Sequence, residues 1–76
     1  MTYGIGDVVA GMKAGKRYAR QGWNGKGMWI YLVQPADKQD LPYVVMNTAD
    51  NRRVPWLCSQ TDLLANDWNE VANAPA

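Results

Sequence analysis

The sequence predicts a small α+β domain: an antiparallel sheet with an N-terminal helix and a short second helix, assembling as a homo-oligomer. Three observations carry this. The chain opens on an apolar helical stripe, with Ile5, Val8, Val9 and Met12 at i, i+3, i+4 and i+7. Short runs rich in aromatic and β-branched residues follow, separated by turn signals. One of those runs is apolar on both faces, in a chain of only 76 residues with four tryptophans. A chain of this size buries only about 60% of its unfolded surface. It has no disulfide framework, because Cys58 is the only cysteine. A partner subunit is then the common way to complete the core.

Each element follows in order. Thr2 can cap the first helix, and Gly15 suits the left-handed position just past its end. Gly4, Val8, Gly11 and Gly15 lie near one another on such a helix. A glycine there costs about 1 kcal/mol relative to alanine, so either another backbone approaches closely or the helix is weak. A short strand follows the basic "GKRYAR", then the turn "QGWNGKG". Met28 to Gln34 is a strand ended by Pro35, with Met28, Ile30 and Leu32 on one face and Trp29, Tyr31 and Val33 on the other. A strand apolar on both faces is covered on both: the helix covers one, a second subunit the other.

"PADKQDLP" is a polar loop, "YVVMNT" the next strand, and "ADNR" a turn centred on Asp50 and Asn51. Pro55 makes "RVPW" an edge strand or a strand end. Ser59, with Asp62 three residues on, resembles a capping box with Asp in the usual place of Glu or Gln. It opens a helix of about two turns. "DWNEV" supplies the last strand, and residues 71–76 are a frayed tail of a single 1–76 domain.

Composition excludes several functions. A formal charge of +1 argues against a nucleic-acid binder, which would carry a basic face. No apolar run approaches the roughly 20 residues that span a bilayer, and the lysines near the N-terminus follow the apolar segment, unlike a signal peptide. A lone cysteine fits a reducing compartment, so a cytoplasmic location is expected. There is no histidine, which removes the commonest general base, and one thiol cannot build a zinc site. Cys58 reads as a small buried apolar residue rather than a nucleophile. Asp62 and Asp67 are close in sequence, but five residues apart on a helix they point in different directions; capping and the helix dipole explain Asp62 better. No enzyme, metal or cofactor is expected.

Two stretches suit a nucleotide-like ligand. In "GWNGKG", Trp23 and Asn24 sit between glycines, with Lys26 beside them and Arg20 just before. Trp23 either anchors this loop to the core or offers a flat face to a ligand. An indole stacks on a purine, an amide pairs with a base edge or ribose hydroxyl, and glycine-rich turns form anion nests that Lys or Arg reinforces. In "VPWLCSQTD", Trp56 leads into a helix N-terminus where Ser59, Gln60 and Thr61 add donors and acceptors. The alternative there is a capped helix with Trp56 in the core.

Together, "GKRYARQGWNGKGMWIYLV" and "YVVMNTADNRRVPWLCSQTDLLANDW" resemble the Thoeris anti-defence family of the second type, small phage and prophage proteins. The resemblance runs from about Ile5 to Val71, and the paired motifs "GWNGKG" and "PWLxSQTDLLAxDW" are specific to it. Cys58 stands where a small residue is expected, and the "PADKQDLP" loop is short. The resemblance implies a sponge: a homotetramer that binds and holds, without cleaving, a cyclic nucleotide immune signal. That signal is a cyclised ADP-ribose made by a TIR-domain enzyme, and cyclic dinucleotides of related defence systems are further ligands. It further implies that Trp23 stacks on or packs under a base. Asn24 and the Gly25 backbone bond polar ligand groups, and Arg20 or Lys26 meets phosphate. Ser59, Gln60, Thr61 and Asp62 line the pocket, Asp62 being suited to ribose hydroxyls, and Trp56 either lines it or packs in the core.

Three other readings compete. A protein–protein inhibitor would use the tryptophans as a hot-spot patch against a host defence protein. A phosphodiesterase would destroy the signal, but histidine and a metal-ligand cluster are both lacking. A single-strand nucleic-acid binder would stack bases on aromatics, which near-neutral charge disfavours.

Overall fold

The protein is described by a computed structural model covering residues 2–23 and 27–72. Its elements are α1 (Ile5–Lys13), β1 (Tyr18–Arg20), β2 (Trp29–Val33), β3 (Tyr43–Asn47), β4 (Arg53–Pro55), α2 (Gln60–Leu63) and β5 (Trp68–Glu70). The five strands form one sheet in the order β4-β3-β2-β1-β5, and every neighbouring pair is antiparallel. This is the α+β class that the patterning predicts.

The helical stripe makes the core. Val8 and Met12 are buried, Ile5 packs at the margin, and Val9 is 40% exposed, so the buried face is narrower than the sequence stripe. The cap differs from expectation. Gly4, not Thr2, is the N-cap residue, and its N–H donates to the Asp7 carboxylate at 3.3 Å. The C-terminal end forms as predicted. Gly15 has φ +92, its N–H donates to the Met12 carbonyl, and the Lys16 N–H donates to the Gly11 carbonyl. That 6→1 and 5→2 pair of bonds is a Schellman ending.

Gly11 is explained by a side chain rather than by another backbone. The Tyr18 ring lies directly on it, and a Cβ there would sit 2.5 Å from Tyr18 Cζ. Tyr18, Ile30 and Trp68 join Val8 and Met12 as the buried cluster, with Tyr3, Trp23, Leu32, Val44, Met46 and Trp56 packed around it. The Tyr3 and Trp68 backbones exchange two hydrogen bonds, 2.8 and 3.2 Å, which tie the chain ahead of α1 onto β5.

The two faces of β2 behave differently. Ile30 is fully buried toward α1, while Trp29, Tyr31 and Val33 point to the opposite face beside Asn47, Val45 and Tyr43 of β3. That outer face holds a shallow concavity of about 250 Å³ lined chiefly by Tyr31, Val33, Tyr43, Val45, Arg53 and Pro55. Pro55 closes the edge strand β4, where its missing N–H is harmless. The β3–β4 turn forms where predicted. Asn51 takes φ 64, its N–H donates to the Thr48 carbonyl, and the Thr48 hydroxyl bonds the Asp50 carboxylate.

The second helix is shorter than predicted, four residues rather than about two turns. Ser59 caps it as expected, with its Oγ accepting the Asp62 N–H at 3.1 Å. The helix ends early because the chain must turn back so that β5 can pair with β1. At the other end of β5 the ladder continues one residue into the predicted tail: the Val71 N–H donates to the Arg17 carbonyl at 2.8 Å.

Candidate functional site

The two sequence motifs meet at Arg20. This residue ends β1 opposite Trp68 of β5, which directs its side chain to the face that carries α2. Nε donates to Asp67 Oδ1 at 2.8 Å, Nη2 to Asp67 Oδ2 at 3.4 Å, and Nη1 to Asp62 Oδ1 at 2.8 Å. The side chains of Arg20 and Asp62 are 19% and 12% exposed, so this bond is largely shielded from water.

The same carboxylates hold the start of the glycine-rich motif. The Gly22 N–H donates to Asp67 Oδ2 at 2.9 Å, and the Gln21 N–H to the Asp67 carbonyl at 3.0 Å. Trp23 Nε1 donates to Asp62 Oδ1 at 3.1 Å. Gly22 leaves room for this approach: a Cβ would lie a tight 3.0 Å from Asp67 Oδ2 and 3.3 Å from Arg20 Nη2. Burial works to raise the Asp62 pKa, yet hydrogen bonds from Arg20, Trp23 and Ser59 outweigh it and hold the carboxyl below its ordinary value. Arg20 does the same for Asp67, helped by the Gly22 N–H.

Three indoles stack beside the ion pairs. Trp68 is fully buried, and its Nε1 donates to the Asp62 carbonyl at 3.2 Å. Trp23 meets it edge-on with centroids 5.2 Å apart, and Trp56 does so at 6.0 Å. Both are only partly buried. Trp23 is therefore anchored to the core by its N–H and by its perpendicular packing on Trp68, and the residue as a whole is only partly buried.

Of the residues singled out in the sequence, Arg20, Trp23 and Asp62 come into direct contact, and Trp56 joins them through Trp68. Ser59, Gln60 and Thr61 are exposed at the start of α2, with the Ser59 and Thr61 hydroxyls 3.0 Å apart. Asn24, Gly25 and Lys26 lie outside the described residues. Two expectations need correcting. Cys58 is exposed rather than buried, because it precedes α2 on the surface; partial burial and the Asp62 charge still push its thiol pKa up. Asp62 and Asp67 do not point apart, because α2 stops at Leu63 and the chain turns, so both reach one guanidinium. The sequence signal for Asp67 is the "AxDW" that follows the capped helix. Asp62 serves the cap through its backbone N–H, and its Oδ1 accepts from Arg20 and Trp23.

Among the described residues, no group of three or more His, Cys, Asp or Glu side chains is placed to hold a metal ion. No helix among them is long and apolar enough to cross a membrane.

The sequence model of a known family, described as the Thoeris anti-defense 2-like domain, matches residues 3–71. The chain belongs to this family. A curated relative from Bacillus phage SP01, named "Thoeris anti-defense 2", is 33% identical over 83 residues, covering 90% of this chain and 93% of that protein. The alignment is longer than the 76-residue chain, so the relative carries insertions. Membership of the Thoeris anti-defense 2 family supports a phage anti-defence role. The motifs that suggested the family are the two stretches that Arg20, Asp62 and Asp67 join in space.

Proposed function

We propose that this protein binds and sequesters, without cleaving, a cyclic nucleotide immune signal inside the infected bacterium, in its cytoplasm. The candidate ligands are a cyclised ADP-ribose made by a TIR-domain enzyme and cyclic dinucleotides. Capture of the signal prevents activation of the host effector. The observation that carries this reading is the convergence of the glycine-rich motif and the α2 motif, through Trp23 and Asp62, in a member of an anti-defence family. Trp23 has a fixed orientation and a partly accessible ring, as stacking on a purine requires. Ser59, Gln60 and Thr61 are accessible beside it for polar ligand groups.

Sequestration sets a physical demand. Nanomolar affinity corresponds to about −12 kcal/mol, which a small charged ligand reaches through enclosure and charge-assisted bonds. A 76-residue chain offers little enclosure by itself. A homotetramer with pockets between subunits would provide it, and the apolar outer face of Tyr31, Val33, Tyr43 and Val45 is a surface that a second copy can cover.

The test is direct. The purified protein is mixed with cyclised ADP-ribose, free ligand is filtered away, the protein is heat-denatured, and the released material is assayed. Intact signal in the released fraction is expected. Altered signal would mean an enzyme. If nothing is depleted, the same assay is run with cyclic dinucleotides, and failure there would end the sponge reading in favour of a protein target.

A further inference from the structure

We infer that Asp67 is a positioning residue for the ligand face of Trp23, and that Arg20 links the two aspartates rather than contacting phosphate. This rests on the sponge reading above and gives one of its expected contacts a different role. The Nε–Nη2 edge of Arg20 is engaged by Asp67, and Nη1 donates to Asp62. Three of the five guanidinium N–H groups are thereby used, and turning this edge toward a phosphate would strip two carboxylates of their cation. One cation against two carboxylates also leaves the cluster with a formal charge of −1, since 1 − 2 = −1. That balance disfavours a phosphate on Arg20 itself and leaves the phosphates of the ligand to sit elsewhere on the site.

What the cluster does well is fix a direction. Asp67 grips the chain at two successive residues, Gln21 through its carbonyl and Gly22 through Oδ2. Its carboxylate also orients Arg20, whose Nη1 shares Asp62 Oδ1 with the Trp23 indole N–H. The path by which the chain arrives at Trp23, and the edge that the indole turns inward, are set by the same three side chains. A binding residue held this way depends on the shell behind it.

The two roles of Arg20 predict opposite signs for one variant. If Arg20 meets phosphate, Asp67→Ala frees it and removes a nearby negative charge, so affinity for cyclised ADP-ribose rises. If Asp67 positions Trp23, affinity falls at least about tenfold, the scale of one lost charged hydrogen bond. Calorimetric titration reads both affinity and the number of sites. A merely structural defect lowers the number of sites; a positioning defect leaves that number unchanged and weakens each site. Asp67→Asn keeps an acceptor for the Gly22 N–H and should fall between wild type and Asp67→Ala; it also serves as the test if the alanine variant does not fold.

A ligand-free measurement separates this inference from the sponge reading. Hydrogen exchange at the Trp23 indole and the Gly22 amide should accelerate at least about tenfold in Asp67→Ala. The Trp68 indole, bonded to the Asp62 carbonyl, should stay protected. Wild type that fails to bind would sink the sponge reading while the exchange result still decides the positioning role. Unchanged exchange at Trp23, or unchanged or tighter binding in Asp67→Ala, would overturn it.

Discussion

Replacing Gly11 with alanine should destabilise this protein, although alanine is the better helix former. Inside a helix the exchange ordinarily gains about 1 kcal/mol. Here the new Cβ would stand 2.5 Å from Tyr18 Cζ and 2.7 Å from Cε2, and closer still to Oη, where carbon contacts prefer roughly 3.5–4.0 Å. The ring would have to retreat by at least about 1 Å to clear Cζ, and further to clear Oη. It has little freedom to do so. Tyr18 is 3% exposed, lies edge-on to Tyr3 at 6.0 Å, and is paired in the sheet with both Ile30 and Glu70. Overpacking of this kind costs about 1–3 kcal/mol, and the confinement of the ring puts Gly11 near the upper end. After the helix gain, the net loss is about 1–2 kcal/mol. For a chain of this length each kcal/mol lowers Tm by roughly 4–8 °C. Gly6 is the control in the same helix, because a Cβ there meets nothing within 4 Å. Gly6→Ala should be neutral or stabilising by up to about 1 kcal/mol. Urea unfolding followed by tryptophan fluorescence measures both, with the slope checked for constancy. Tyr18→Phe removes the atom nearest the new methyl, so it should recover part of the Gly11→Ala loss in the double variant. Equal effects at Gly6 and Gly11, or no recovery with Tyr18→Phe, would refute the packing of Tyr18 on α1.

Two further outcomes follow from the site. Asp62 and Asp67 both titrate below the ordinary 3.8 in the folded chain, so on acidification the unfolded chain takes up their protons first. The stability they contribute is complete above the unfolded value and is lost as pH falls through the depressed folded values. Tm should therefore decline as pH falls below about 5, and Asp62→Asn should flatten that decline; an equal slope in the variant would show that this pair does not carry it. Cys58 is exposed with its thiol pKa raised, so iodoacetamide should label the native protein, but more slowly than free cysteine at the same pH. Cys58→Ser should shift stability by less than about 0.5 kcal/mol, and a larger loss in thermal unfolding would contradict the exposed placement.

The architecture was legible because its signals are local. The period of Ile5, Val8 and Met12, the cap at Ser59, the left-handed Gly15 and the turn at Asn51 each act within a few residues. So does the alternation of β2, which separates a helix-facing side from an outer side. Features that depend on distant partners were not legible. Gly11 has its reason in Tyr18, seven residues away and on another element. The length of α2 depends on how β5 returns to β1, and no local pattern contains that. The charge cluster is the strongest case. Arg20 and Asp67 are separated by 47 positions, and the rule that carboxylates five apart diverge holds only while the helix continues. Cys58 was misplaced for a related reason, since a residue type's average burial says nothing about a loop that runs over the surface.

The question of why a tryptophan sits in a glycine-rich loop now has a physical answer on its inner side. Trp23 contributes an edge to Trp68 and a donor to Asp62, so folding itself fixes the ring. Ordering a free side chain at a binding site costs about 0.5–1.5 kcal/mol. For Trp23 that cost is already met by contacts that exist without ligand, and the partly exposed ring waits in a defined orientation. Gly22 favours the arrangement, since a Cβ there would press on the Asp67 carboxylate that reaches its N–H. Under the proposed function, anchor and ligand face are two sides of one residue. Removing Asp67, which reaches Trp23 only through Gly22 and Arg20, should then weaken capture through the orientation of the ring.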